Sequence, residues 1–149
     1  MEILEKNFEA LLVTELYDLL RLRSDIFVVE QNCVYQDMDG KDSKALHIIG
    51  KKEDKVVAYT RCFAPGVYFQ EASIGRVLVG IEYRNLGYGH DIMKASIRAI
   101  KDQYNTETIK ISAQTYLRKF YETHDFKKVG EGYFEDGIPH IAMVKPPLL

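Results

Sequence analysis

Hydrophobic residues recur at helical spacing in two stretches of this chain, which predicts two helices that each pack one side on a sheet. The first helix follows a plausible N-cap at Thr14. Its apolar positions are Leu16, Leu19, Leu20, Ile26 and Phe27. The second helix ends near Tyr104, and its apolar positions are Ile92, Met93, Ile97 and Ile100. A third, shorter helix is predicted from the positions of Leu117, Phe120, Tyr121 and His124.

Segments rich in β-branched and apolar residues predict six strands. They span residues 45–51, 56–63, 73–79, 108–113, 126–134 and 140–144. A charged run at residues 52–55 separates the first two strands as a hairpin turn, so we expect these strands to pair antiparallel. The short apolar strand at residues 73–79 should be central in the sheet. Helices inserted between mostly antiparallel strands predict an α+β layered fold.

Polar, irregular sequence at residues 31–44 predicts a loop. Within it, residues 36–42 are too polar to bury much surface, and their acidic side chains invite comparison with a calcium-binding loop. The glycine of that stretch comes too early, however, and Ile48 stands where the motif needs Glu. We therefore favour a surface turn with Gly40 at positive φ, although Asp37 or Asp42 could instead attract a cationic ligand.

Length, composition and charge bound the class of protein. The 149 residues, 46% of them hydrophobic, predict one domain over residues 1–149. A net charge of −2 argues against a nucleic-acid partner. No basic leader precedes an apolar stretch and no apolar run approaches the roughly 20 residues that span a bilayer, so we expect a cytoplasmic protein without membrane contact. Cys33 and Cys62 lack metal-type or redox-type spacing, which predicts two reduced thiols and no metal site.

The motif that carries chemistry is Arg84-Asn85-Leu86-Gly87-Tyr88-Gly89, which follows the central strand and leads into the second helix. The first N–H groups of a helix lack partners and the helix dipole favours an anion, so such a turn suits a pyrophosphate. Gly87 and Gly89 let oxygen atoms approach the main chain closely, and Arg84 could add positive charge. A dinucleotide fingerprint needs a third glycine where Ile92 stands, and the Gly-Lys-Ser/Thr of a P-loop is absent from the sequence.

This turn matches the Arg/Gln-x-x-Gly-x-Gly/Ala signature of the GNAT superfamily of N-acetyltransferases, and the order of the predicted elements also resembles that superfamily. The chain is most similar to its ElaA-like branch. The runs that carry this resemblance are residues 27–33, 35–37, 39–40, 74–77 and 136–141. Together with the turn they extend the resemblance over nearly the whole chain. One departure is Asp125, which precedes Phe126 where the superfamily commonly has Gly.

The resemblance implies a three-layer α/β/α fold whose mixed, mostly antiparallel sheet splays at its central strand pair. It implies acetyl-CoA as co-substrate and no metal. The residues that would bind the coenzyme are Val77, Leu78, Val79, Arg84, Asn85, Leu86, Gly87, Tyr88, Gly89 and His90. The expected reaction is direct transfer of acetyl to a primary amine of a small molecule or a peptide. A backbone N–H at Leu78 or Val79 would polarise the thioester carbonyl.

Tyr121 stands where the family usually places its general acid, and we expect its hydroxyl to protonate the departing thiolate of coenzyme A. The alternative is that Phe120 and Tyr121 are only an aromatic pair that packs against the core. The two interpretations differ in whether the hydroxyl takes part in the reaction.

Glu30 is the residue that we expect to act as general base. Its apolar neighbours would raise its pKa by desolvation, whereas the alternative is an ion pair with Arg21 or Arg23. His47 and His140 are further candidates for the base, because imidazole ionises near neutral pH, but a lone His on an apolar strand is more often a core residue. The residues expected to contact the acceptor are Gln31, Asp37, His47 and His140.

A function from a different class also fits the sequence: an acyl-CoA-binding module that kept the turn but acts as a sensor or regulatory partner. The presence of Tyr121 and Glu30 beside an intact turn favours the enzyme, because a module that only binds needs neither an acid nor a base. Transfer of a longer acyl chain, as in autoinducer synthases, usually demands a longer protein. Edge strands of the sheet could pair between copies, which leaves a homodimer open.

Overall fold

A seven-stranded mixed sheet forms the centre of the computed structural model, which describes residues 1–147. Its strands are β1 (Glu2–Asn7), β2 (Leu46–Lys52), β3 (Lys55–Phe63), β4 (Ala72–Val79), β5 (Ile109–Gln114), β6 (Lys127–Glu135) and β7 (Ile138–Lys145). Across the sheet they follow the order β1-β2-β3-β4-β5-β7-β6, and every neighbouring pair except β4 with β5 is antiparallel. The six predicted strands are confirmed, together with the β2–β3 hairpin and the central place of β4.

The edge strand β1 has no counterpart among the predicted elements. It pairs with β2 along its whole length. Charged residues alternate irregularly with Ile3 and Leu4, and none of its six residues is fully buried. An edge strand held mainly by main-chain hydrogen bonds leaves only a weak hydrophobic period in the sequence, which explains the omission.

Three α-helices accompany the sheet: α1 (Val13–Arg23), α2 (Tyr88–Tyr104) and α3 (Arg118–Glu122). The predicted N-cap at Thr14 is wrong, because α1 begins at Val13 and Leu12 occupies the N-cap position. Glu15 reaches back instead, and its carboxylate accepts a hydrogen bond of 2.8 Å from the Leu12 N–H. At its other end α1 continues into a π-helical segment, Ser24–Glu30.

The third helix is shorter than predicted, since it ends at Glu122 and His124 lies beyond it. The chain then turns at Asp125, whose φ is +69°. Glycine adopts that left-handed conformation most readily, and Asp is among the few other residues that tolerate it. The departure from the superfamily pattern at this position therefore leaves the turn in place.

Helices cover both faces of the sheet. One face packs against α2 and α3, in a core that includes Ile48 and Ile92. The other face packs against α1, in a core that includes Ile49 and Leu19. Ile48 and Ile49 are adjacent and face opposite layers, as successive strand residues do. The predicted three-layer α+β architecture is confirmed. Over the described residues, no helix is long and apolar enough to cross a membrane.

The central strands β4 and β5 separate along most of their length. Only Ala72 and Ser73 of β4 pair with β5, although β4 continues to Val79 and β5 to Gln114. The expected splay is therefore present, and the C-terminal halves of the two strands border an open groove.

A β-bulge interrupts the other side of β4. Leu78 faces Tyr59 and Gly75 faces Arg61, so three steps along β4 match two steps along β3. Within the bulge Arg76 has a φ of +49°, which is uncommon for a residue with a side chain. The bulge changes the direction of the strand at the point where the groove begins.

Candidate active site

The groove between β4 and β5 widens into a cavity of about 620 Å³. Most residues predicted to bind the coenzyme line it, namely Val77, Leu78, Val79, Arg84, Asn85, Gly87, Tyr88, Gly89 and His90. Leu86 lies outside the lining and is half exposed. Tyr121, Gln31 and His140 also line the cavity, whereas Glu30, Asp37 and His47 lie elsewhere. The structure thus brings together three of the six residues proposed for the acid, the base and the acceptor.

The turn after β4 has the geometry of an anion site. Gly87 precedes α2 with a φ of +80°, and the first helical hydrogen bond there joins the Asp91 N–H to the Gly87 carbonyl at 3.1 Å. The N–H groups of Tyr88, Gly89 and His90 therefore have no acceptor within the helix. A Cβ built on Gly87 meets no atom within 4 Å, so the space before these donors is open. These features fit the pyrophosphate of a coenzyme.

Gly89 serves packing in addition to ligand approach. A Cβ at Gly89 would lie 3.4 Å from the ring of Phe120. Phe120 also contacts two imidazoles, those of His90 and His124, whose ring nitrogens lie 2.9 Å apart. Burial, with a smaller contribution from His90, lowers the pKa of His124 and favours its neutral form. Aromatic and imidazole rings thus hold the first turn of α2 against the region after α3.

Arg84 is already paired. Its guanidinium donates hydrogen bonds of 2.6 and 2.8 Å to the carboxylate of Glu30 and one of 3.1 Å to the Val79 carbonyl. The hydrogen bonds from Arg84 lower the pKa of Glu30 because they outweigh its desolvation. The prediction of a raised pKa for Glu30 is wrong. An ion pair was the alternative, and it forms with Arg84 instead of either arginine of α1.

Tyr121 packs against the core and also lines the cavity. Its ring packs edge-on against Phe120 with centroids 5.1 Å apart, and only 6% of the residue is exposed. Within residues 1–147 its hydroxyl makes no hydrogen bond, and the side chain lines the cavity. Desolvation raises the pKa of Tyr121, so the phenol keeps its proton at neutral pH. The hydroxyl is therefore available to donate to a ligand.

The two ring nitrogens of His140 have different partners. Its Nδ1 lies 2.7 Å from the Ile138 carbonyl, which can only accept, so Nδ1 carries the hydrogen. In the neutral ring this leaves a lone pair on Nε2. The Nε2 atom lies 3.6 Å from the Glu135 carboxylate, and the two groups form an ion pair only when the ring is protonated. Both side chains line the cavity, and this pair can act as a base toward a bound amine.

His47 is a core residue. Its Nε2 lies 2.9 Å from the Asp42 carbonyl and its Nδ1 hydrogen-bonds the Tyr59 hydroxyl. Burial lowers the pKa of His47, so the ring stays neutral in a fully buried position. The structure does not place it where an acceptor could bind.

Asp37 belongs to a buried ion network, so the prediction of a solvated turn at residues 36–42 is wrong for this side chain, whereas Gly40 has the predicted positive φ, at +79°. Three arginines supply the partners that allow these carboxylates to be buried. Arg23 donates to Asp37 at 2.9 Å and to Asp42 at 2.7 Å. Arg76 donates to Asp37 at 2.8 Å, and Arg61 makes two bonds of 2.8 Å to Asp39. This network, the arginine cluster, ties the loop to α1, β3 and the bulge of β4.

Sequence reasoning missed the arginine cluster and Glu135, although a signal was present. Arg23 and Arg61 occupy positions in apolar stretches and are 0% and 1% exposed. A buried arginine requires an acid, and the loop offers Asp37, Asp39 and Asp42. The two thiols are free as predicted; Cys33 lines the cavity and hydrogen-bonds the Asp136 carbonyl, and Cys62 is buried.

Comparisons with known proteins identify relatives that share the whole architecture. The model of the acetyltransferase (GNAT) domain family matches residues 24–146. Escherichia coli ElaA is 40% identical over 135 residues, 89% of this chain and 88% of ElaA. Its crystal structure matches with a TM-score of 0.89 and 37% identity, over 97% of this chain and 99% of the other. An acyl-CoA N-acyltransferase structure from Pseudomonas aeruginosa matches with a TM-score of 0.91 and 35% identity, over the same shares of the two chains. An aminoglycoside 6′-N-acetyltransferase solved with coenzyme A shares the fold, with a TM-score of 0.70, 14% identity and coverage of 97% and 96%.

Proposed function

Since this chain belongs to the acetyltransferase (GNAT) domain family and is similar to a solved acyl-CoA N-acyltransferase, we propose that it moves acetyl from acetyl-CoA to a primary amine of a small molecule or a peptide. The observation that carries the proposal is the cavity, which joins the open N-terminus of α2 at Gly87 to Tyr121 and His140. The turn would hold the pyrophosphate, and the free edge of β4 would pair with the pantetheine arm.

In the proposed reaction the neutral amine attacks the thioester carbonyl carbon directly, so that the C–N bond forms as the C–S bond breaks. A main-chain N–H of β4 would polarise the carbonyl, and strand alternation favours Val79 for this role. The Gly80 N–H donates to the Val57 carbonyl of β3 at 2.8 Å. Successive residues of a strand direct their N–H groups to opposite sides, so that of Val79 points toward the groove.

Two side chains would act as the base and the acid of the reaction. His140 would accept the proton that the ammonium must lose before attack, with Glu135 stabilising the imidazolium. Tyr121 would donate its proton to the sulfur of the departing coenzyme A, and the nitrogen of the product would release its remaining extra proton as the amide forms, which restores the phenol. Glu30, the base expected from the sequence, is occupied by Arg84 outside the cavity lining, so we propose His140 in its place.

The coenzyme site is tested by a Gly87→Asp variant, with Gly87→Asn as matched control. Asp and Asn both tolerate positive φ and differ by one charge. We expect Gly87→Asp to bind acetyl-CoA about 100-fold more weakly, because like charges about 4 Å apart near a protein surface repel by about 4 kcal/mol before salt screening. Gly87→Asn should bind within a few-fold of the wild type. Calorimetric titration with acetyl-CoA measures both.

The same titration, run beside an assay of acetyl transfer, separates the candidate functions. Tight binding of acetyl-CoA without acetyl transfer to any amine would favour the sensor over the enzyme. No binding of acetyl-CoA to the unaltered protein would contradict both functions, and equal loss in the two Gly87 variants would attribute the effect to backbone strain rather than to charge.

The base is tested by His140→Gln beside Glu30→Gln. We expect His140→Gln to lower kcat at pH 7 by about 100-fold, the low end of what acid–base catalysis contributes. The deficit should shrink as pH rises, because an amine that loses its proton to bulk water no longer needs a base. Glu30→Gln should retain kcat and change mainly the KM for acetyl-CoA, since it releases Arg84. Profiles of kcat between pH 6 and 10 measure both variants, and a loss confined to Glu30→Gln would restore Glu30 as the base.

A further inference from the structure

Two residues in the lining of the cavity each carry a buried side-chain donor without a hydrogen-bond partner. The donors are the hydroxyl of Ser73 on β4 and the Nε–H of Arg61 on β3, and neither has a hydrogen-bond partner within residues 1–147. Ser73 is 2% exposed and Arg61 is 1% exposed. Buried polar groups are nearly always hydrogen-bonded, because leaving one unpaired costs free energy. Two unpaired donors in one cavity therefore need an explanation.

Gly75 lies between these donors. It faces Arg61 across the β3–β4 pair and follows Ser73 by two positions on β4, so all three residues are directed to the same face of the sheet. A Cβ built on Gly75 meets no atom within 4 Å, and Gly75 itself lines the cavity. Bare main chain with open space before it is thus flanked by two donors.

The chemistry of the donors selects the group that fits here. The terminal nitrogens of Arg61 are taken by Asp39, with bonds of 2.8 Å, and by Asp42 at 3.1 Å. The charge of Arg61 is therefore compensated, and its Nε–H can only donate. The Ser73 hydroxyl can rotate to donate as well. An oxygen that accepts hydrogen bonds would satisfy both groups, whereas an alkyl chain or an ammonium would leave the Nε–H unpaired.

We propose that Ser73, Gly75 and Arg61 form a subsite for a carbonyl or carboxylate oxygen of the acceptor. The acceptor class is then amino acids or peptides, in preference to alkylamines and polyamines. The inference rests on the proposed acetyl transfer, because only a transferase has an amine acceptor. The reacting amine would lie toward His140 on β7, and the oxygen group would lie over the β3–β4 part of the sheet.

The test compares L-lysine, L-lysinamide and cadaverine, which share a five-carbon chain with two amines and differ in carrying a carboxylate, a carboxamide or neither. Their binding is measured by calorimetry in the presence of coenzyme A, and their acetylation by initial rates with acetyl-CoA. We expect the wild-type protein to bind at least one of the two oxygen-bearing amines about tenfold more tightly than cadaverine, the effect of one or two satisfied donors. The ranking of lysine against lysinamide distinguishes a carboxylate from a carbonyl subsite.

Variants assign the preference to the subsite. Gly75→Ala should fold normally, because its Cβ has room, yet it should abolish the tenfold preference by occupying the space. Ser73→Ala should also weaken binding of the preferred amine. Because this variant removes an unpaired buried hydroxyl, it should raise the melting temperature of the ligand-free protein. Gly132→Ala on β6, where a Cβ would make ordinary contacts at 3.6 Å, is the matched control and should change neither quantity.

The proposal is overturned if the three amines bind equally, if none binds, or if Gly75→Ala keeps the preference. A lower melting temperature for Ser73→Ala would also overturn it, because it would show that the hydroxyl has a structural partner. The predicted binding preference without any acetylated product would support the subsite and contradict the proposed transfer. Transfer to amines without an oxygen preference would do the reverse, so the two failures are distinguishable.

Discussion

Replacing Tyr121 with Phe is expected to lower kcat by about 1,000-fold, within the range that acid–base catalysis supplies, and to leave the Kd of acetyl-CoA unchanged. The substitution removes only a hydroxyl that has no partner within residues 1–147. The ring would keep its contacts with Phe120 and Phe126. Because no hydrogen bond is lost, the free energy of unfolding should stay the same or rise. Single-turnover rates and calorimetry measure the two effects separately.

The pH dependence of the wild-type enzyme gives a second test of Tyr121. A phenol is neutral when protonated, so desolvation raises its pKa above the ordinary value of about 10. The acid should therefore remain in its active form throughout the neutral range, and kcat should show no alkaline decline below about pH 10.

Tyr116 lines the same cavity and is 75% exposed, so Tyr116→Phe is the matched control for Tyr121→Phe. A large loss in Tyr116→Phe with none in Tyr121→Phe would transfer the role of the acid to Tyr116.

Local features of the site could be predicted from the sequence. The turn at Gly87 and Gly89 combines a strand end, positive φ and a helix start within a few residues, and each of these leaves a compositional trace. The hydrophobic spacing of α2 and of the strands can likewise be read within short stretches of sequence. The resemblance added the splay of β4 and the place of Tyr121, which no spacing rule supplies.

Pairings across the fold could not be predicted in the same way. Arg84 and Glu30 are 54 positions apart, and either could have had several partners until the π-helical segment and the turn were placed side by side. Which ring nitrogen of His140 carries the hydrogen depends on the direction of one main-chain carbonyl, and composition does not encode that direction. Whether the Ser73 hydroxyl has a hydrogen-bond partner depends on the residues that the fold brings around it.

The arginine cluster illustrates the same limit and carries a structural consequence. Asp37 accepts from Arg23 at the end of α1 and from Arg76 in the bulge of β4, so one carboxylate joins the loop to two layers of the fold. Arg76 holds a positive φ at the place where β4 turns toward the groove. Arg23 and Asp37, which do not line the cavity, thus contribute to the shape of the bordering strand through Arg76, which does.

Replacing Arg23 with Met is expected to lower the free energy of unfolding by about 3–5 kcal/mol, the usual cost of removing one partner from a buried ion pair. Arg23 is fully buried and bonds to Asp37 and Asp42. Met fills much of the volume but leaves both carboxylates with fewer donors. Urea unfolding at pH 7 measures the change. As a control, Arg98→Ala removes a pair with Asp102 at 3.9 Å on an 86% exposed side chain and should cost less than about 1 kcal/mol.

Acidification supplies the decisive comparison for Arg23. Although burial alone would raise the pKa of Asp42, its hydrogen bond with Arg23 lowers it below the ordinary value of about 3.9. A carboxyl with a lowered pKa stabilises the fold above its unfolded-state pKa, and that contribution is lost as pH falls toward the folded-state pKa. The wild-type protein should therefore lose stability below about pH 4, whereas Arg23→Met should lose less over the same interval because its Asp42 keeps only the 3.1 Å hydrogen bond from Arg61. Parallel losses in the two proteins would contradict the coupling, and a destabilisation below about 1 kcal/mol at pH 7 would show that the remaining arginines of the cluster satisfy both carboxylates without Arg23.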